Sequence, residues 1–319
     1  MSTHIKNITV VGTGVIGIGW IARFLANGYQ VTAFDPAPNA EEKVIKSLSE
    51  IWPTLVNNDL APKNYLENFT FETELKNAVA NADFVQENVP EREDLKCSVI
   101  AEIDQLTKED TIISSSTSGY MPTILQKNCK NSGRVIVSHP FNPVYIIPLV
   151  EIVAGEQTDP NVVERAREFF ESISMKPLIV RHEIDGHISD RLMEAIWRES
   201  LHIVNDGIAT TEEVDASIVY GPGLRWALMG PFLTLHLAGG DQGMRHMLHQ
   251  FGPALKLPWT KLEAPELTDE LAEKVVTGCE AQTKGQDMAQ LEKRRDEFLV
   301  KLTELVEEYW PAANLSGRL

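Results

Sequence analysis

A chain of 319 residues has room for two domains, and 43% hydrophobic with 24% charged residues is an ordinary composition for a soluble globular protein. The formal net charge of −17 argues against nucleic acid or an anionic membrane surface as a partner. Three widely spaced cysteines without a CxxC pair read as reduced thiols of a cytoplasmic protein, and no apolar run approaches the ~20 residues of a membrane span.

The chain enters a strand-like run, Ile8-Thr9-Val10-Val11, almost at once, which leaves no room for a signal peptide. Gly12-Thr13-Gly14-Val15-Ile16-Gly17 follows and opens a helical segment. A dinucleotide site needs this order. Gly12 allows a sharp turn off the strand and Gly14 lets the backbone approach a pyrophosphate. Gly17 lets the helix pack closely, with its N-terminal N–H groups facing the anion. A second strand over 30–34 ends in Asp35, eighteen residues past Gly17. A carboxylate there accepts hydrogen bonds from a ribose and repels a 2′-phosphate, so the expected cofactor is NAD rather than NADP.

A helix over 40–58 comes next, then a strand over 83–87, a helix over 91–106, and strands over 111–114, 134–138 and 149–153. A helix over 160–172 and a strand over 177–180 complete the alternation, which predicts an α/β fold: a Rossmann-type, doubly wound parallel sheet. After Asp185-Gly186 the character changes, and no convincing strand follows. Helical periodicity runs over 187–206, and Thr210-Thr211-Glu212-Glu213 suits a helix start. Gly221-Pro222-Gly223 and Gly239-Gly240 break the region into units, and two more helices are expected over 267–282 and 286–310. The chain thus divides into an NAD-binding domain over 1–184 and an all-helical domain over 185–319. Several apolar helix faces on so short a domain suit pairing with a second copy.

Ligands of open α/β sheets bind beyond the carboxyl ends of the strands. Two such ends carry reactive residues, Ser114-Ser115-Ser116-Thr117-Ser118-Gly119 and Ser138-His139-Pro140-Phe141-Asn142-Pro143. Twelve residues after His139 stands Glu151, in the apolar run Leu149-Val150-Glu151-Ile152-Val153. A carboxylate there is costly to bury without a partner, and an imidazole suits it: Glu151 would set the tautomer of His139 and stabilise its charged form. Oxidation of an alcohol needs a base for the hydroxyl proton, and histidine fits. Singly, the serines read as turn and cap residues, the histidine as a satisfied loop residue, and Glu151 as the partner of any buried donor. Their joint placement behind a dinucleotide fingerprint favours chemistry. No HExxH or paired CxxC motif calls for a metal.

The order Ser118, His139, Glu151 resembles the catalytic pattern of the 3-hydroxyacyl-CoA dehydrogenase superfamily, and the resemblance spans essentially the whole chain. It implies an NAD-binding Rossmann domain joined to a helical dimerisation domain, hence a homodimer. It also implies His139 as general base, Glu151 as its orienting partner and Ser118 as a donor to the substrate oxygen. By the same resemblance Asn142 lies near the nicotinamide ribose and Glu87 along the cofactor groove. At the family's fourth catalytic position, usually asparagine, this chain has Asp190, in Ser189-Asp190-Arg191. An ionised aspartate only accepts hydrogen bonds. It could favour the imidazolium, accept from the substrate hydroxyl, face a substrate cation, or merely pair with an arginine.

Arg225, in Gly223-Leu224-Arg225-Trp226-Ala227, resembles an arginine of the members that act on small hydroxy acids such as L-gulonate, and could clamp a free carboxylate. Stretches over 139–145, 189–195, 206–213 and 238–246 resemble members whose substrate is a small zwitterionic hydroxy acid. A quaternary ammonium group favours aromatic faces, and Phe141, Trp197, Trp226 and Phe251 are the candidates. A 3-hydroxyacyl-CoA substrate ranks lower because no concentrated basic patch awaits the CoA phosphates. A non-catalytic, cofactor-binding protein, as lens λ-crystallin resembles this family, is the alternative of another class.

Overall fold

The computed structural model describes residues 5–283, 286 and 288–309. It divides into two compact units, the first running through Asp190 and including Asp296–Val300, the second holding Arg191–Arg295 and resuming at Lys301.

The first unit is built on β1 (Asn7–Val11), α1 (Val15–Ala26), β2 (Gln30–Phe34), α2 (Ala40–Asn57), β3 (Phe69–Glu72), α3 (Leu75–Val79), β4 (Phe84–Glu87) and α4 (Glu93–Leu106). It continues with β5 (Ile112–Ser115), α5 (Pro122–Gln126), β6 (Val135–Pro140), β7 (Leu149–Ala154), α6 (Pro160–Ser172) and β8 (Lys176–Val180). The strands form one sheet in the order β3-β2-β1-β4-β5-β6-β7-β8. This is the expected Rossmann-type fold. The order reverses beside β1, which pairs in parallel with both β2 and β4 and so opens the crevice where such sheets bind ligands.

Successive strand residues point to opposite faces, and the core divides accordingly. Phe84, Ile112, Ile136 and Ile152 join Trp20, Phe24, Val44, Phe169 and Phe170 on one face. Val85, Ile113, Val137 and Val153 join Cys97, Ile100, Ile103 and Leu125 on the other.

The sheet is not wholly parallel. β7 runs antiparallel to β6, while β8 is parallel to β7. The reason is chain length: eight residues, 141–148, join β6 to β7, and a parallel crossover needs about a dozen or more. Three short elements, β3, α3 and α5, were not anticipated from the pattern; β3 is an edge strand of four residues with none fully buried.

The second unit is helical: α7 (Ser189–Asn205, of which it holds the part from Arg191), α8 (Thr211–Val219), α9 (Pro222–Ala238), α10 (Gly243–Phe251), α11 (Asp269–Thr283) and most of α12 (Met288–Tyr309). Thr210 caps α8 by accepting from the Glu213 N–H while the Glu213 carboxylate accepts from the Thr210 N–H. Gly230, at φ 62° and ψ 179°, breaks α9 just before Pro231. The helix expected from 187 begins two residues later, because Gly186 and His187 both adopt positive φ. Trp310, the expected end of the last helix, lies outside the described residues. Among the described residues no helix is long and apolar enough to cross a membrane.

Candidate active site

Gly12 leaves β1 at φ +88°, and a Cβ there would lie 2.7 Å from the Asn88 carbonyl oxygen. A Cβ on Gly17 would lie 2.0 Å from the Gly12 carbonyl oxygen, whereas nothing comes within 4 Å of one on Gly14. Both close positions therefore require glycine, and the open one leaves the N-terminus of α1 bare to a ligand. No side chain caps that helix, so its first N–H groups face outward. Asp35 stands just past β2. Its Oδ2 accepts from the Thr13 N–H (2.8 Å) and hydroxyl (2.9 Å), and its Oδ1 from the Ala37 N–H (2.9 Å). Gly12, Thr13, Gly14 and Asp35 line a cavity of about 930 Å³ together with Leu75, Asn88 and Val99. Val15, Ile16 and Gly17 form the first turn of α1 beside it. An uncapped helix start, a bare glycine and an acidic strand end fit a dinucleotide with a free ribose diol.

Glu87 is not among the residues that line this cavity. It shares the sheet face of Val85, beneath α4, and is fully buried. There its carboxylate meets Lys96 Nζ (3.0 Å), the Ser115 hydroxyl (2.5 Å) and the Val89 N–H (2.6 Å). Burial pushes the Glu87 carboxyl above its ordinary value, against the opposing charge of Lys96 and these hydrogen bonds. Its neighbour Asn88 is the residue that reaches the cavity; Asn88 also accepts from the Ser116 hydroxyl (2.7 Å).

A second cluster forms where β6 and β7 pair. The antiparallel register sets His139 directly opposite Glu151, so the two side chains share a face. Nδ1–H of His139 donates to Glu151 Oε2 at 3.0 Å; the carboxylate can only accept, which assigns the proton. Glu151 Oε1 accepts from the N–H groups of Ile188 (3.1 Å) and Ser189 (3.0 Å), at the start of α7. Burial alone would raise the Glu151 carboxyl; the His139 hydrogen bond, the two N–H donors and the charge of His139 outweigh it and hold the group below the ordinary carboxylate value. Asp190 Oδ2 lies 3.8 Å from the other imidazole nitrogen, Nε2. The Phe141 ring and the imidazole pack in a T-shaped arrangement, with centroids 4.9 Å apart.

His139, Glu151, Phe141 and Asp190 are thus brought together within the first unit. Ser118 is exposed on the loop after β5, where its N–H donates to Glu91 Oε1 (3.1 Å) and the Thr117 hydroxyl also bonds that oxygen. Glu91 in turn pairs with Lys96 at 3.3 Å. Asn142 is exposed in the loop between β6 and β7 and does not line the large cavity. Arg23 braces that loop through the carbonyls of Val144 and Ile147, both at 3.1 Å.

The sequence reading missed His187. It is fully buried, its Nε2–H donates to the Thr117 carbonyl (3.2 Å), and its ring lies 5.4 Å from that of His139. Burial lowers its pKa, helped by the charge of His139 and opposed by the Thr117 bond, Glu151 and Asp190. It thereby ties the Ser118 loop to the segment that leads into α7. A titratable residue directly after Asp185-Gly186 was the one available signal.

In the second unit, Trp197 on α7 lines a cavity of about 560 Å³ with Leu201, Val214, Ile218 and Val275. Arg225 and Trp226, on α9, and Phe251, at the end of α10, do not line it. The four are therefore not gathered in that cavity.

A family model described as the NAD binding domain of 3-hydroxyacyl-CoA dehydrogenase matches residues 7–184, and the C-terminal domain of the same enzyme matches residues 186–285. An L-carnitine dehydrogenase of Bacillus cereus is 64% identical over 315 residues, which is 99% of this chain and 97% of the relative. One of Oceanobacillus iheyensis is 58% identical, covering 96% of this chain and all of its own length. Among solved structures, an NAD⁺-dependent 5-formyl-3-hydroxy-2-methylpyridine 4-carboxylic acid 5-dehydrogenase is similar with a TM-score of 0.80 at 30% identity, over 95% of this chain and 99% of its own.

Proposed function

The chain belongs to the 3-hydroxyacyl-CoA dehydrogenase family, and we propose that it is the member that oxidises the 3-hydroxyl of L-carnitine to 3-dehydrocarnitine. The observation that carries the chemistry is the buried His139–Glu151 pair. With Nδ1 engaged by Glu151 at 3.0 Å, only Nε2 is available to a substrate hydroxyl. The identities to L-carnitine dehydrogenases support the choice of substrate.

When bound along the Gly12–Gly14 turn, NAD supplies the acceptor for the hydride from the carbinol carbon. The remaining work falls to side chains. His139 takes the hydroxyl proton at Nε2 as the C–H bond breaks, and Glu151 stabilises the resulting imidazolium. Glu151 needs no movement for this, because its second oxygen is pinned by the Ile188 and Ser189 N–H groups. Ser118 donates to the substrate oxygen from a loop held by Glu91 and, through Thr117, by His187. Phe141 offers an aromatic surface beside the imidazole, worth about 0.5–2 kcal/mol to a quaternary ammonium. Arg225 has the residue type for the substrate carboxylate, and Trp197, Trp226 and Phe251 have the type for the ammonium group.

The test is NADH formation with L-carnitine, D-carnitine, L-gulonate and a 3-hydroxyacyl-CoA in parallel. Turnover confined to L-carnitine is expected. Activity on gulonate or the thioester without carnitine turnover overturns the substrate while leaving His139 in place. His139→Ala is expected to lose turnover and keep NADH binding. NAD binding with no turnover of any 3-hydroxy acid by the unaltered protein would instead fit a crystallin-like role.

A further inference from the structure

We propose that Asp190 determines specificity for a cationic substrate: its carboxylate is the counter-charge to a quaternary ammonium group two bonds from the hydroxyl-bearing carbon. The inference rests on the carnitine reading and deepens it.

The argument begins with the imidazole. Because Glu151 occupies Nδ1, the substrate hydroxyl docks at Nε2, about 2.8 Å away as O–H···N geometry requires. Asp190 Oδ2 stands 3.8 Å from that same nitrogen, too far for a hydrogen bond to it. Asp190 is therefore a charge beside Nε2 and not a hydrogen-bond partner of the ring. It flanks the place where the hydroxyl goes.

The substrate's own bonds decide what else must lie there. Three bonds separate the hydroxyl oxygen of a 3-hydroxy-4-trimethylammonio acid from its nitrogen, so staggered torsions keep the two about 3–4 Å apart. Wherever the hydroxyl meets Nε2, the cation comes with it. A quaternary nitrogen donates no hydrogen bond, and its charge is shielded by methyl groups. It is satisfied by a carboxylate or an aromatic face about 4–6 Å away.

Of the two carboxylates around His139, only Asp190 suits that role. Glu151 is 0% exposed and lies on the Nδ1 side of the ring, whereas the Asp190 side chain is 20% exposed and lies nearest Nε2, the nitrogen the hydroxyl meets. The other titratable neighbour, His187, is buried with its Nε2 on the Thr117 carbonyl. Phe141, its ring centroid 4.9 Å from that of the imidazole, adds an aromatic wall. Charge from Asp190 and a ring from Phe141 are the complement of a quaternary ammonium group.

The test compares L-carnitine with the carbon isostere that lacks its cation, 3-hydroxy-5,5-dimethylhexanoate, in which a tert-butyl group replaces trimethylammonium and the carboxylate is kept. In Asp190→Asn the carnitine-to-isostere ratio of kcat/KM is expected to fall about 10–100-fold, while Asp190→Glu retains a preference for carnitine. Asp190→Ser, a second neutral variant, is expected to follow Asp190→Asn. NADH affinity, measured by fluorescence, reports that each variant is folded. An equal loss on both substrates overturns the inference, because Asp190 would then act through His139. So does no change on either. Absence of carnitine turnover by the unaltered enzyme overturns the carnitine reading and this inference with it. Carnitine turnover with an unchanged ratio in Asp190→Asn overturns this inference alone.

Discussion

Glu151→Gln isolates the charge of the carboxylate from its shape. In the folded chain Glu151 is fully buried, meets His139 Nδ1–H at 3.0 Å and accepts two further N–H bonds from Ile188 and Ser189. At an effective dielectric constant of ~20, a unit charge pair at this separation is worth about 5–6 kcal/mol, felt only once His139 carries the proton. The amide dipole of glutamine recovers part of that, so about 3–5 kcal/mol of transition-state stabilisation is lost, or about 10²–10⁴-fold in kcat. NADH formation at saturating carnitine and NAD measures it, and KM for NAD is expected to stay near its original value because Glu151 does not line the Asp35 cavity. The pH dependence of stability gives an independent check. Glu151 is held below its ordinary value of 4.5, so its contribution is full above that value and is lost as pH falls through the lowered one. Glu151→Gln should therefore flatten the loss of stability below about pH 4.5. A variant that keeps kcat within a few-fold would refute the argument that Glu151 stabilises the imidazolium.

Asp35→Asn removes the charge that excludes a 2′-phosphate while keeping an acceptor; the NAD-to-NADP ratio of kcat/KM should fall by about 10–100-fold, and an unchanged ratio would remove Asp35 from the ribose site. Lys96→Met strands the Glu87 carboxylate, since both side chains are almost wholly buried, and should cost about 3–5 kcal/mol in urea unfolding. Adding Glu87→Gln should restore much of it, and a Lys96→Met protein of unchanged stability would show the pair to be idle. His187 has its pKa lowered chiefly by burial, so its contribution to stability is full above the ordinary 6.5 and fades as pH drops below it. His187→Phe should remove that slope; identical pH–stability curves would mean that the buried imidazole titrates no differently on unfolding.

The parts of this site that could be read in advance are those where backbone geometry forces a residue type. A Cβ at Gly17 would lie 2.0 Å from a carbonyl oxygen, so the glycine spacing carries the cofactor turn in the sequence itself. The spacing of His139 and Glu151 works the same way. Two antiparallel strands joined by residues 141–148 make them cross-strand neighbours, and that short connection already rules out the parallel arrangement that simple alternation suggested. The surroundings of Glu87 were hidden for the opposite reason. Phe84-Val85-Gln86-Glu87 is buried on both faces, so no polar alternation marks which face each residue takes, and only the position of Lys96 on α4 decides it. His187 was hidden by its backbone: helical periodicity extends through it, yet it sits at φ +48° outside the helix, where its ring can reach Thr117. The aromatic residues of the helical unit fall between these cases. Period marks their faces, but Trp197 lines the cavity of about 560 Å³ because of where α8 and α11 run, which no local pattern encodes. Asp190 combines both kinds of information. Its residue type was visible as a departure, but its placement 3.8 Å from His139 Nε2, on which the proposal above rests, was not, because that distance depends on how the start of α7 meets β6.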